Sequence, residues 1–212
     1  ALIIFVHGFT GSQREHQYFN AAPFFNNNGF STFRFDLYNN KKGARKISEA
    51  SFTNHIEDLN QVVDYFKRSY KKIILVGHSL GCLVILKANL ANVSRIVLWD
   101  PSTGFENISE KKGYYNQEIG KYIIGQWLDI VVGKNLIDEW MKVDIGVMIK
   151  NIKIPCKFIF AGGYNKYDLW KPYLNDLHFK NEVVIVKGAS HCFDEIGTEV
   201  ELFKETYNFI KV

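Results

Sequence analysis

Residues 73–90 constrain this chain more than any other stretch. A short apolar run, Ile73 to Val76, leads into Gly77-His78-Ser79-Leu80-Gly81, and Cys82 to Leu90 follows with apolar residues at helical spacing. Strand, G-x-S-x-G and helix in that order describe a nucleophile elbow, in which a serine stands on a strained turn at the top of a sheet. The positions two residues either side of the serine then crowd together, so Gly77 and Gly81 supply the room. The helix that starts at the turn aims free N–H groups at any negative charge that develops there. The competing reading of the pentapeptide is a serine in an ordinary βα turn. What the rest of the chain supplies decides between them.

The elbow sits within an alternation of strands and helices. Leu2 to Val6 is a continuous apolar run, as a strand buried on both faces requires, and it ends in His7-Gly8-Phe9-Thr10-Gly11. A helix is expected over Arg14 to Asn27, closed by Asn28-Gly29, then a strand from Phe30 to Asp36. Tyr38 to Lys46 is polar and reads as a loop, and Ser51 to Ser69 carries Phe52, Ile56, Leu59, Val62, Val63 and Phe66 at helical spacing. After the elbow helix, Arg95 to Asp100 is a strand closed by Pro101. From Thr103 to Asn151 the alternation stops, and glycines and aromatics such as Tyr114, Tyr115, Tyr122, Trp127 and Trp140 lie among Ile and Val. That segment is too long for a plain connection and reads as an insertion with short helices and a possible hairpin. Cys156 to Ala161 is the next strand, Gly162 to Lys171 a glycine- and aromatic-rich loop, Glu182 to Lys187 the last strand, Gly188 to Glu195 a loop, and Thr198 to Ile210 a closing helix. The pattern predicts one α/β domain over residues 1–212, a mostly parallel sheet with helices on both faces and 103–151 as a cap-like insertion.

Charge and composition narrow the function. The chain has 212 residues and a net charge of +4, with Lys and Arg scattered or in pairs and no basic stripe. Nucleic-acid binding is therefore not expected. No apolar run approaches the ~20 residues of a membrane helix. No leader segment is visible; Ala1 stands at the start of a strand and is not a natural initiator, so that silence decides nothing. Cys82, Cys156 and Cys192 are an odd set without a C-x-x-C pair, which favours a reducing, cytoplasmic setting over a disulfide framework. All three read as packing residues, although Cys192 follows a histidine of interest.

A hydrolytic serine needs a base, an acid that orients the base, and donors for an oxyanion. Of the six histidines, His191 lies just past the last strand, at the carboxyl end where open α/β sheets place their sites. His78 flanks the serine and should point away from it, and His7 is better placed to hold the loop after the first strand. His16, His55 and His178 fall on helices or a surface turn, where a solvated or packed role is expected. The acid candidates are Asp36, Asp100, Asp168, Asp194 and Glu195. The chain order serine, acid, histidine leaves Asp100 and Asp168. Asp168, in the loop after the penultimate strand, is the expected acid; Asp100, followed by Pro101, reads as part of a structural turn. The backbone N–H groups of Leu80 and Phe9 are the expected oxyanion donors, each typically worth ~3–4 kcal/mol at the transition state.

His7-Gly8-Phe9-Thr10-Gly11, Gly77-His78-Ser79-Leu80-Gly81 and Gly188-Ala189-Ser190-His191-Cys192-Phe193 resemble the corresponding motifs of the α/β-hydrolase superfamily. Phe35-Asp36-Leu37 and Phe52-Thr53-Asn54-His55-Ile56-Glu57-Asp58-Leu59 extend the resemblance to the small bacterial carboxylesterases that include cinnamoyl and feruloyl esterases. The resemblance implies Ser79 as nucleophile, His191 as base, and Phe9 and Leu80 as oxyanion positions. Members of the group commonly carry Gly-x-x-Asp just behind the penultimate strand, whereas Gly162-Gly163-Tyr164-Asn165-Lys166-Tyr167-Asp168 brings the acid later. The elbow continues into Cys82 where close members have a second glycine. The chain also opens on what would be the third strand of the family, so about six strands are expected.

Together these readings predict a serine hydrolase that cleaves small carboxylic esters through an acyl-enzyme, with no metal or organic cofactor and no nucleic-acid partner. The insertion would be a small cap whose aromatics line an acyl or aryl pocket. A thioesterase or amidase on the same residues is the first alternative, and a non-catalytic binding protein of this fold the second. The oligomeric state is not legible.

Overall fold

The structure, a computed structural model, describes residues 1–104, 113–125, 128–163, 165–177 and 181–211. Residues 105–112 of the insertion, Trp127, Tyr164 and His178 lie outside the described residues. Six parallel strands form the main sheet: β1 (Leu2–Val6), β2 (Ser31–Arg34), β3 (Ile73–His78), β4 (Arg95–Trp99), β8 (Cys156–Ala161) and β9 (Asn181–Val186), in the spatial order β2-β1-β3-β4-β8-β9. Strand periodicity sends alternate side chains to opposite faces, and both faces of β1 are buried. Leu2, Ile4 and Val6 join one core with Leu59, Leu83 and Phe158, while Ile3 and Phe5 join the other with Tyr18, Phe25 and Phe203. Helices α1 (His16–Asn27) and α7 (Thr198–Ile210) cover the second face, and α2 (Phe52–Phe66) and α3 (Leu80–Lys87) the first. This is the α/β-hydrolase fold.

The insertion holds β5 (Gly113–Asn116), β6 (Lys121–Gly125) and β7 (Asp129–Gly133), which pair as a separate three-stranded antiparallel sheet, followed by α4 (Lys134–Met141) and α5 (Ile145–Lys150). This cap-like unit is anchored on the main body. Lys121 Nζ donates to the Ser48 carbonyl at 2.6 Å, and Thr53 N–H donates to Glu139 at 2.9 Å. Trp140 packs edge-on against Phe9 at 5.4 Å between ring centroids and donates from Nε1 to the Thr103 carbonyl at 2.9 Å.

Several boundaries differ from the sequence reading: the second strand stops at Arg34 rather than Asp36, and the helix expected to reach Ser69 stops at Phe66. The elbow helix stops at Lys87 rather than Leu90. More consequentially, the expected loop from Gly162 to Lys171 contains a helix, α6 (Lys166–Leu174). Its sequence includes Pro172 and has one fully buried side chain, Trp170, with Tyr167 and Leu174 partly buried beside it against the core. Trp170 is fully buried against Phe158, and its Nε1 donates to the Pro101 carbonyl at 3.1 Å. Among the described residues no helix is long and apolar enough to cross a membrane.

Candidate active site

The carboxyl ends of β1, β3, β4 and β9 meet at one place on the sheet edge. β3 runs out at His78, and Ser79 follows with φ of 54° and ψ of −119°, a backbone conformation that costs about 1–3 kcal/mol in a residue with a side chain. The neighbouring packing leaves no alternative to glycine on either side. A Cβ on Gly77 would lie 2.9 Å from the Cys82 nitrogen, and one on Gly81 would strike the carbonyl oxygens of Val6 and His7. The loop after β1 therefore presses directly on the elbow. Gly8 belongs to the same contact, since a Cβ there would sit 3.0 Å from that of Ser79.

The serine hydroxyl opens a hydrogen-bonded chain whose two ends, Ser79 and Asp100, are buried. Ser79 Oγ lies 2.9 Å from His191 Nε2, and His191 Nδ1 lies 2.5 Å from Asp100 Oδ2. The His191 side chain is 32% exposed and Asp100 not at all. With the imidazole proton on Nδ1, facing the carboxylate, Nε2 is an acceptor for the serine proton. Burial opposes ionisation of Asp100, but the His191 hydrogen bond, the Lys166 ammonium and the Ala161 N–H outweigh it and hold the carboxyl below its usual range. The Ala161 N–H donates to Oδ1 at 3.1 Å, so both carboxylate oxygens are occupied.

The carboxylate that meets His191 is thus that of Asp100 and not that of the expected Asp168. β4 lies beside β3 with Trp99 opposite His78, which carries Asp100 to the flank of Ser79. Asp100 itself adopts φ of 40°, a second strained turn next to the first, with Pro101 following. The turn read as structural is the one that aims a carboxylate at His191. Asp168 is displaced because α6 begins immediately after Asn165; its residue lies in the first turn of that helix and lines a recess with Thr103, Val143 and Tyr173.

The other histidines and acids hold the frame. His7 accepts from Leu37 N–H at 2.9 Å and donates from Nδ1 to the Gly8 carbonyl at 2.9 Å, joining the loops after β1 and β2. Burial, partly offset by that carbonyl and by Asp36, lowers its pKa and keeps it neutral. Asp36 accepts from Gln13 N–H at 2.8 Å and from the Gln13 side chain at 3.1 Å. His78 donates from Nε2 to the His191 carbonyl at 2.7 Å, with the two rings 4.5 Å apart. Burial foremost, and then His191, push its pKa down to about 3. His55 is fully buried beside Tyr38, and burial takes it to about 3 as well. His16 lies at the surface between Asp194 and Glu199, and Glu195 accepts from Ser190 N–H. Cys82, Cys156 and Cys192 are all free thiols.

Two residues at the centre went unread in the sequence. Ser102 Oγ lies 2.9 Å from Ser79 Oγ, and its N–H donates to the Ser79 carbonyl at 3.2 Å. Lys166 Nζ lies 2.8 Å from His191 Nδ1 and 3.0 Å from Asp100 Oδ2. Neither belongs to a motif; both depend on contacts between distant loops.

Such an assembly can pass a proton from a serine to a neutral imidazole backed by a carboxylate. Leu80 opens α3 and offers its N–H at the free helix start, and Phe9 follows the loop glycine that touches the elbow.

Known proteins resemble the chain in fold as well as pattern. Its residues 3–144 match the family described as "Alpha/beta hydrolase family". The solved structure of Est1E from Butyrivibrio proteoclasticus with ferulic acid bound superposes with a TM-score of 0.79 at 20% identity, covering 100% of this chain and 90% of that one. The monoacylglycerol lipase of Paleococcus ferrophilus gives 0.72 at 15% identity, covering 98% and 93%. The dienelactone hydrolase of Anabaena variabilis ATCC 29413 gives 0.70 at 14% identity, covering 100% and 85%. None of the curated proteins matches the sequence. With two thirds of its length matched by the family pattern and its sheet, elbow and cap-like insertion arranged as described, this chain belongs to the alpha/beta hydrolase family.

Proposed function

We propose that the protein is a serine carboxylesterase in which Ser79, His191 and Asp100 act together. The observation that carries this reading is the continuous chain from Ser79 Oγ through His191 to the buried Asp100 carboxylate. Ser79 Oγ attacks the ester carbonyl carbon while its proton moves to His191 Nε2, and Asp100 stabilises the imidazolium that forms. The N–H groups of Leu80 and Phe9 receive the oxyanion. Collapse of the intermediate breaks the bond to the leaving oxygen, which takes the proton from His191 and departs as the alcohol. Water then attacks the acyl-enzyme, gives a proton to His191, and the acid leaves as Ser79 Oγ regains its hydrogen. The Phe9–Trp140 contact brings the cap to the edge of this site and supports an apolar acyl or aryl substrate. The esterase and lipase structures of the same fold support ester chemistry over other leaving groups, and the three free thiols fit a reducing compartment.

The test is labelling by a fluorophosphonate together with turnover of p-nitrophenyl esters, acyl thioesters and aminoacyl arylamides. Esters should be the preferred class. Ser79→Ala should fold normally, resist labelling and retain less than about a hundredth of parental turnover. A parent protein that neither labels nor turns over any of the panel would mark a non-catalytic member of the fold.

A further inference from the structure

Lys166 has no part in the esterase reading above, yet it occupies the centre of the site. It is the first residue of α6, and its side chain is 23% exposed. The Nζ lies 2.8 Å from His191 Nδ1, 3.4 Å from Nε2, 3.0 Å from Asp100 Oδ2 and 3.4 Å from the Asp100 carbonyl oxygen. Two of its three N–H bonds can go to Asp100. The third reaches Nδ1 only when that nitrogen carries no proton, and otherwise turns toward solvent. Asp100 therefore does not serve the imidazole alone; its charge is divided between Lys166 and His191.

We infer that Lys166 is a positioning residue that extends the working range of His191 toward lower pH: by balancing Asp100 and standing against the ring, its ammonium disfavours the imidazolium in the resting enzyme. The physics is that of two like charges in contact. Protonation of His191 places a cation beside Lys166 at a distance where repulsion is weakly screened, while the carboxylate that would compensate it is already shared. The other groups around His191 do not supply this effect. From β3, His78 lies against the ring, tilted by 37°, but is held neutral by burial, with a pKa of about 3. From the same loop, burial of the Cys192 thiol raises it to about 11, so it carries no charge at neutral pH. Ser79 and Ser102 are uncharged hydroxyls. Glu15 and Asp194 act on the neighbouring Cys192. Asp194 is paired with His16 at 2.7 Å, but burial raises Glu15 to about 7, so Glu15 titrates in the same window and needs its own control.

This inference rests on the esterase reading for its consequence but not for its measurement. The His191 imidazole is followed by NMR against pH in histidine-labelled parent, Lys166→Met and Lys166→Arg proteins, its signal assigned by loss in His191→Gln. The midpoint should rise by about one pH unit or more in Lys166→Met and stay within about 0.3 unit of parent in Lys166→Arg, which keeps the charge. The acid limb of kcat/KM for an acetate ester should move with it. Glu15→Gln should leave the Lys166→Met displacement unchanged, and Lys166→Gln replaces the methionine variant if that one fails to fold. A midpoint that moves less than about 0.3 unit in a folded, charge-free variant overturns the inference and makes Lys166 a strut between α6 and Asp100. If Ser79→Ala proves as active as parent, the esterase reading falls while the titration still decides the role of Lys166.

Discussion

Replacing Asp100 by asparagine tests the site at its most determined point. The two carboxylate oxygens have different duties: Oδ1 accepts the Ala161 N–H at 3.1 Å, and Oδ2 faces His191 Nδ1 at 2.5 Å and Lys166 Nζ at 3.0 Å. An asparagine must choose. With its amide oxygen on Ala161, its NH2 points at Nδ1 and at an ammonium; the imidazole must then carry its proton on Nε2, where it cannot accept one from Ser79. With the amide reversed, the NH2 opposes the Ala161 N–H and a buried backbone donor loses its partner, at a cost of about 1–3 kcal/mol. The wrong tautomer alone lowers kcat by up to ~10⁴ in a serine protease of another fold. Asp100→Asn should therefore reduce kcat for p-nitrophenyl acetate by about 10²- to 10⁴-fold with a much smaller change in KM. Asp168→Asn, on a residue that lines the recess beside Thr103, should stay within about threefold of parent. Steady-state kinetics on folded proteins read both. An Asp100→Asn enzyme with a third of parental kcat, or an Asp168→Asn enzyme that is crippled, would refute the assignment of the acid.

Ser102→Ala removes the hydroxyl that contacts Ser79 Oγ at 2.9 Å, and kcat should fall about tenfold through loss of one hydrogen bond while fluorophosphonate labelling survives; unchanged kcat would make the contact incidental. The fully buried His55 is held near a pKa of about 3 against about 6.5 unfolded, so its contribution is intact above pH 6.5 and drains as pH falls toward 3, at up to ~1.4 kcal/mol per unit. Denaturant curves of His55→Phe should accordingly show a shallower loss of stability between pH 6.5 and 4 than parent, and an equal slope would sink this account. Trp140→Ala should cost about 3–5 kcal/mol of stability and also slow a small acetate ester, because Phe9 loses its edge-on partner and the Thr103 carbonyl its donor. Undiminished acetate turnover would show that the cap leaves the Phe9 loop alone.

The parallel sheet and the elbow could be read from sequence because each leaves a local trace. Continuous apolar runs such as Leu2–Val6 announce strands buried on both faces, and two glycines flanking Ser79 announce the tight turn between strand and helix. His191 was legible because a single histidine follows the last strand. The carboxylate that meets it was not, since Asp100 and Asp168 both follow strands and lie between serine and histidine in the chain. What separates them is the helix after Gly163, and α6 left a weak trace because it is short, contains Pro172 and has one fully buried side chain, Trp170. Lys166 was hidden for the same reason: a lysine on an unread helix has no address. Ser102 depends on two turns with unusual backbone, at Ser79 and Asp100, meeting side by side.

His191 reaches Ser79 from 112 residues away and arrives on the loop after β9, the last strand to join the sheet in chain order. Among the described residues β9 is bonded on one side only, to β8, and Val183 and Ile185 on it are 37% and 42% exposed. The histidine is thus carried by an edge of the sheet, while the serine stands near its centre. Fraying of that margin would part the two without disturbing the elbow, so heat or mild denaturant should extinguish turnover before the helices or the central strands melt. A chain emerging from synthesis would likewise carry a finished elbow that stays inert until its final strand has docked.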